Sequence, residues 1–243
     1  VHRRAWSAAG LRASGAPPAP TPNLSWTASS IGRGLTACDA VDQGWHTAPM
    51  SDAPAISRFP VPALADLPED IRTRILEVQD KAGFVPNVFL VLAHRPDEFR
   101  AFFAYHDALM LKEGGLSKAE REMIVVATSG ANDCLYCVVA HGAILRIYDK
   151  NPFIADQVAV NYRKADLAPR RRAMLDFAVK VALEASKIDE TDYAGLRAHG
   201  FTDEDAWDIA AIAAFFAMSN RLANMTSMRP NDEFYLMGRV PRR

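Results

Sequence analysis

The segment LSKAEREMIVVATSGANDCLYCVVAHG, residues 116–142, holds a helix start, a helix stop and a second helix start. Ser117 and Glu120 have the spacing of a capping box, in which each side chain satisfies the other residue's free amide. The apolar run that follows keeps helical period, and Gly130 is predicted to end it. Asn132 or Asp133 is placed to cap the next helix, which runs to about Tyr148. At about 100° per residue, Cys134, Cys137 and His141 fall within roughly 60° of one another. Two soft sulfurs and an imidazole therefore share one helix face.

Working outward, the sequence from Asp66 onward is helical almost throughout, with frequent turn residues and no convincing alternating strand. An all-α domain is expected. LPEDIRTRILEVQDKAG sets Leu67, Ile71, Ile75 and Val78 on one face, with Pro68 in the first turn and Gly83 as the stop. A short helix in PNVFLVLAH and a longer one in PDEFRAFFAYHDALMLK come next, and further helices fit residues 151–161, 169–187, 189–199 and 202–227. FTDEDAWDIAAIAAFFAMSN echoes LSKAEREMIVVATSGAN: each opens with an apolar residue, a hydroxyl cap and an acidic residue three after the cap. The echo is weak, and if real it implies two pseudo-repeated helical units of which only the first carries thiols.

Residues 1–49 differ in kind. They are rich in Pro, Ala and Gly, sustain no helical period, and are expected to be a disordered N-terminal extension, with Met50 as the true start. A secretory signal is rejected because no apolar core follows the basic residues His2, Arg3 and Arg4. Leaving out the four Arg and two Asp of this segment takes the formal charge from -1 to -3 for residues 50–243, the expected folded domain. Such a balance offers no attraction for nucleic acid. No apolar run reaches the ~18 residues of a membrane span, so neither nucleic acid nor membrane is an expected partner. Three cysteines, two of them in C-x-x-C, are not a secreted disulfide framework and point to the reducing cytoplasm.

Three readings of Cys134 and Cys137 stay open on spacing alone: a redox pair, a metal site, or an inert buried pair. Zinc wants four ligands, whereas Cys134, Cys137 and His141 supply three and no second C-x-x-C exists. A redox pair has two devices for forming thiolate, the start of a helix beside Cys134 and the base His141 one turn beyond Cys137. Glu122 lies in apolar sequence twelve residues before Cys134, on a helix face shared with Val125, Val126 and Ser129. An amphipathic flank would put polar neighbours there. His94, His106 and His199 are read as structural, on helix ends or polar faces, and Phe215 and Phe216 as core.

Glu122, eleven residues, Cys134, two residues, Cys137, three residues and His141 reproduce a signature, E-x11-C-x2-C-x3-H. On it the chain resembles the alkylhydroperoxidase D-like (AhpD-like) proteins of the carboxymuconolactone decarboxylase superfamily. GFVPNVF (83–89), LSKAERE, CLYC with its following AHG, and RPNDEFY resemble the peroxidase-related branch, over roughly residues 58–239. The resemblance implies an all-helical homo-oligomer that reduces organic hydroperoxides, an antioxidant function, with a dithiol or thioredoxin-like protein as reductant and no cofactor or metal. By the same resemblance Cys137 attacks the peroxide, Cys134 resolves it as a disulfide, and His141 and Glu122 form a proton relay. Helix-dipole reasoning alone favours Cys134 as the nucleophile. Well-known members of the family carry a histidine where this chain has Tyr136, an auxiliary candidate whose phenol is a poor base near neutral pH. Phe215, Phe216, Asn220 and Arg221 resemble a pocket wall of the branch. A non-enzymatic redox sensor, or the decarboxylase and lactone chemistry of the parent superfamily, are the alternatives.

Overall fold

The structure, a computed structural model, describes residues 55–239. These belong to the unit Met50–Arg243, one of two into which the chain divides. The expected extension over residues 1–49 and Cys38 within it lie outside the described residues. Among the described residues ten α-helices follow one another: α1 Glu69–Ala82, α2 Asn87–Leu92, α3 Pro96–Met110, α4 Lys118–Ala131, α5 Leu135–Asp149, α6 Ile154–Asn161, α7 Pro169–Glu184, α8 Glu190–Ala198, α9 Asp203–Met225 and α10 Asp232–Leu236. Short 3-10 turns occupy Leu64–Asp66 and Ala185–Lys187, and no strand occurs among the described residues. The fold is all-α, as its periodicity implies.

Helix α4 is the centre. Every residue from Ala119 to Ser129 is buried, and α5, α6, α7 and α9 pack around it. The capping box forms as read: Glu120 N–H donates to Ser117 Oγ and Ser117 N–H to Glu120 Oε2. Thr202 and Asp205 make the same box at the start of α9. Helices α4 and α9 run side by side in one direction, Gly115 meeting Asp205 at one end and Ser129 meeting Asn220 at the other. The main core lies between them, with Met123, Ile124, Val126, Leu145, Met174, Leu175, Ile209 and Ile212 all removed from solvent. Each such side chain contributes about 1.5–3 kcal/mol by burial.

Two details between α4 and α5 correct the reading from sequence. Gly130 does not end α4, which continues through Ala131 to Asn132 as its C-cap. A Cβ at residue 130 would lie 2.3 Å from the carbonyl oxygen of Ala159 on α6, so glycine is there to let two helices touch. Cys134 is not in the first turn of α5 but is its N-cap, with Asp133 in the left-handed region at φ 51°. Asp tolerates that conformation better than most residues. The N–H groups of Asp133 and Cys134 close the end of α4 on Gly130 O (3.1 Å) and Ser129 O (2.9 Å). Pro68 likewise precedes α1 as its N-cap.

The segment after α9 turns back onto the cysteine helix. Arg146 donates to the carbonyls of Met237 and Phe234, each at 2.8 Å, and Asn231 accepts from Asn87 N–H at 2.8 Å and donates to Val85 O at 2.9 Å. Phe234 packs edge-on to Phe84. Helix α10 has only five residues, too few to show a period, and was not foreseen. Among the described residues no helix is long and apolar enough to cross a membrane.

Candidate active site

The cysteines sit in a small core of their own, with Val91, Ala140, Ala143, Ala223, Met228 and Phe234 around them. Cys134 is 1% exposed and Cys137 3%. Both are free thiols. Because Cys134 is the N-cap, its sulfur takes the place that Ser or Asp usually holds, accepting the Cys137 N–H at 3.4 Å. The Cys137 thiol also donates to it, and this bond, strengthened by the Cys137 amide and Asn220 and opposed by burial, brings Cys134 down to about 7. Cys137 moves the other way, well above the ordinary thiol range, because it holds the shared proton and is buried. The pair therefore carries its first negative charge on Cys134.

Asn220 of α9 forms the wall behind the sulfurs and is wholly buried. Its amide donates to Ser129 Oγ at 2.9 Å, and its carbonyl accepts from Asn132 Nδ2 at 3.1 Å. It is thus held by the last turn of α4 while it favours the thiolate form of both cysteines. Ser219 does the same for Cys137. The sequence pointed to Asn220 only through the family resemblance. Ser219 was missed, because a single Ser in an apolar helix carries no signal of what it faces.

Glu122 and His141 meet across α4 and α5. Nδ1 of His141 lies 2.7 Å from Glu122 Oε2, with the side chains 15% and 8% exposed. With the carboxylate accepting at Nδ1, the proton of a neutral imidazole stays there and Nε2 is the free nitrogen. The ring of Phe216 packs edgewise on His141 at 4.7 Å, and the positive charge of His141 also helps lower Cys134. All four residues of the signature are thus brought to the α4–α5 contact, in two hydrogen-bonded pairs. Among the described residues no group of three or more His, Cys, Asp or Glu side chains converges as a metal site would.

Tyr136 points elsewhere. Its hydroxyl accepts from Val88 N–H at 3.1 Å, tying α5 to the start of α2, and burial pushes its pKa upward. Leu135, by contrast, is 61% exposed, and it borders a groove of about 490 Å³ with Asn224, Arg229 and Tyr235. Phe216 is core, as expected, and also part of the site; Arg221 is exposed and donates to Ala217 O. His94 binds Val91 O and His199 binds Gly195 O, each closing a helix end. His106 departs from the sequence reading: it lies among Phe103, Phe215 and Phe216, not on a polar face.

The family model described as "Carboxymuconolactone decarboxylase family" matches residues 96–150, which span α3 to α5. A crystal structure of an alkylhydroperoxidase AhpD core, an uncharacterized peroxidase-related protein from Ralstonia eutropha JMP134, is 77% identical. It covers 78% of this chain and 100% of its own at a TM-score of 0.78. A peroxidase-related protein from Silicibacter sp. TM1040 is 42% identical, with 78% and 100% covered and a TM-score of 0.73. The debrominase Bmp8 shares the fold at 19% identity, with 74% and 93% covered and a TM-score of 0.58. No protein of curated function matches. Full coverage of a relative at 77% identity decides the family, and the chain is an AhpD-like member of the carboxymuconolactone decarboxylase superfamily.

Proposed function

We propose that the protein is a thiol peroxidase that reduces organic hydroperoxides through Cys134 and Cys137, with Glu122 and His141 moving protons. The observation that carries this reading is a buried pair of free thiols on the helix that also presents His141 to Glu122 in a hydrogen-bonded carboxylate–imidazole pair. A sensor would need the thiols; the ordered Glu122–His141 pair is what turnover adds.

Cys137 attacks the terminal oxygen of ROOH. Its proton passes to the Cys134 thiolate as the S–O bond forms and the O–O bond breaks. The departing alkoxide takes a proton from the His141 imidazolium and leaves as ROH, so Cys137 becomes a sulfenic acid. Neutral His141 then accepts the Cys134 proton, Cys134 attacks the Cys137 sulfur, and hydroxide leaves with that proton as water. The disulfide is reset by a dithiol, small or thioredoxin-like, which supplies two electrons. Low acidity at Cys137 is consistent with these roles, since Cys134 is the resident base beside it. Glu122 keeps Nε2 of His141 free and steadies the imidazolium.

The reading extends to a catalytic unit of residues 50–243, a cytoplasmic setting that keeps the thiols reduced, and a homo-oligomer. The test is turnover of tert-butyl hydroperoxide with excess dithiothreitol. Cys137→Ser should abolish it. Cys134→Ser should accumulate one oxygen on Cys137 by mass spectrometry, and Glu122→Gln should slow turnover about 10²-fold while diamide still forms the disulfide. Oxidation that stops after one equivalent, with donor in excess, would make the protein a sensor. An oxygen adduct on Cys134 in Cys137→Ser would reverse the two roles.

A further inference from the structure

Phe216 touches two imidazoles. His141 lies 4.7 Å from its ring, and His106 of α3 lies 6.2 Å from it. Nδ1 of His106 is 3.0 Å from Asp107 Oδ1, and the second oxygen of Asp107 accepts from Arg74 of α1 at 2.8 Å. The plan repeats that of His141: one nitrogen held by a carboxylate, the other uncommitted, the ring enclosed by phenylalanine. The two pairs differ in reach. Asp107 and Arg74 are 34% and 35% exposed, at the surface, whereas Glu122 is 8% exposed.

We propose that His106 is the proton-exchange residue of the site, linking the buried Glu122–His141 pair to Asp107 and the solvent. The proposal rests on the peroxidase reading for its purpose. In that reaction His141 gives up a proton that must be restored when the disulfide is reduced, and at 15% exposure it meets less water than His106 at 25%. A neutral imidazole takes a proton at one nitrogen and releases it at the other. Burial holds the pKa of His106 below the ordinary value, with the Asp107 bond opposing, so it releases protons readily. The charged and titratable groups that act on it are Asp107 beside it, His141 on α5 and Glu122 on α4, with Arg74 reaching it through Asp107. His106 acts through His141 and is a positioning residue, not one that touches peroxide.

The test has two arms, both on the full chain. In the first, tert-butyl hydroperoxide turnover is measured against buffer concentration at fixed pH and ionic strength. His106→Gln should be about 10-fold slower than native and should recover part of that loss as imidazole buffer rises, while the native protein stays indifferent. A native rate in His106→Gln overturns the proposal, as does a slow rate that ignores buffer, which marks a structural role only. In the second arm, the titration of His106 is followed by nuclear magnetic resonance without any peroxide. His141→Gln should raise its midpoint by removing a neighbouring positive charge, and Glu122→Gln should lower it. Turnover without these shifts sinks the proton route alone. The shifts without turnover in the native chain sink the peroxidase reading, and with it the route's role in peroxide reduction, while the coupling stands.

Discussion

Helices α4 and α9 begin alike and end up doing opposite things. Each opens on a capping box, and the two lie side by side in the same direction. Aligned on their caps, Ser117 and Thr202, they put Glu122 and Trp207 at the same position, five residues on. Glu122 is 6% exposed and Trp207 74%, an inversion of what either residue prefers. The surroundings explain it. Helix α4 is enclosed on all sides, so a carboxylate in it must find a partner, and His141 is that partner. Helix α9 turns Ser219, Asn220 and Phe216 towards the site and leaves Trp207, Met218 and Met225 outside. One helix is a core element that carries chemistry, and the other is a wall with a free back.

The largest effect that would break this contrast is at Gly130. Gly130→Ala drives a Cβ into the Ala159 carbonyl, a backbone atom that cannot step aside without moving α6. We expect a loss of about 3 kcal/mol by urea unfolding, at the upper end for overpacking. A small residue on the outer face of α9 is Ala214, which is exposed, and Ala214→Leu should cost nothing measurable. Equal costs at the two positions would mean that α9 is as enclosed as α4.

Next is the contact through which α9 serves the thiols. Asn220→Ala leaves Ser129 without its partner, takes one of two acceptors from the Asn132 amide, which keeps Thr128 O, and removes a donor from both sulfurs. The expected loss of stability is about 1–3 kcal/mol. Iodoacetamide reactivity should show the chemical effect. In the native protein the alkylation of Cys134 should rise with pH through a midpoint near 7, where its thiolate forms, and in Asn220→Ala that midpoint should move up. An unmoved midpoint would leave Asn220 a packing residue.

How much of this was legible varies with range. The α4–α5 unit was readable because its signals are local: a cap three residues from its acid, a C-x-x-C, and a Glu among apolar residues. The error at Gly130 shows the limit, since a helix stop and a close helix contact call for the same residue, and only the position of Ala159 tells them apart. His106 was misread for a related reason. Its own helix suggested a polar face, while Phe215 and Phe216, more than a hundred residues later, cover it. Cys134 as N-cap was missed by one residue because Asn132 and Asp133 are the better cappers by type.

The caps test whether the two helices are equivalents in energy as well as in sequence. Ser117→Ala and Thr202→Ala should each cost about 1 kcal/mol, the usual value for a cap. Ser117 should be the milder loss, because Glu120 keeps a second partner in Arg170 whereas Asp205 has none beyond its own box among the described residues. A larger loss at Ser117 would count against that order.

The smallest effect concerns the free back of α9. Trp207→Gln alters a side chain that touches little in the single chain, and a surface change of that kind falls within about 0.5 kcal/mol. The apolar outer residues of α9 are more than one exposed helix face needs, and with them goes the expected homo-oligomer. The two ideas make different predictions at different protein concentrations. If Trp207 faces solvent, Trp207→Gln unfolds at the native urea midpoint whether the protein is dilute or concentrated. If a second copy covers it, the native midpoint climbs with concentration and that of Trp207→Gln does not, because association adds stability by mass action. Sedimentation of the same two samples assigns the difference: loss of a larger species in the variant puts the interface on α9, and an unchanged oligomer puts it elsewhere.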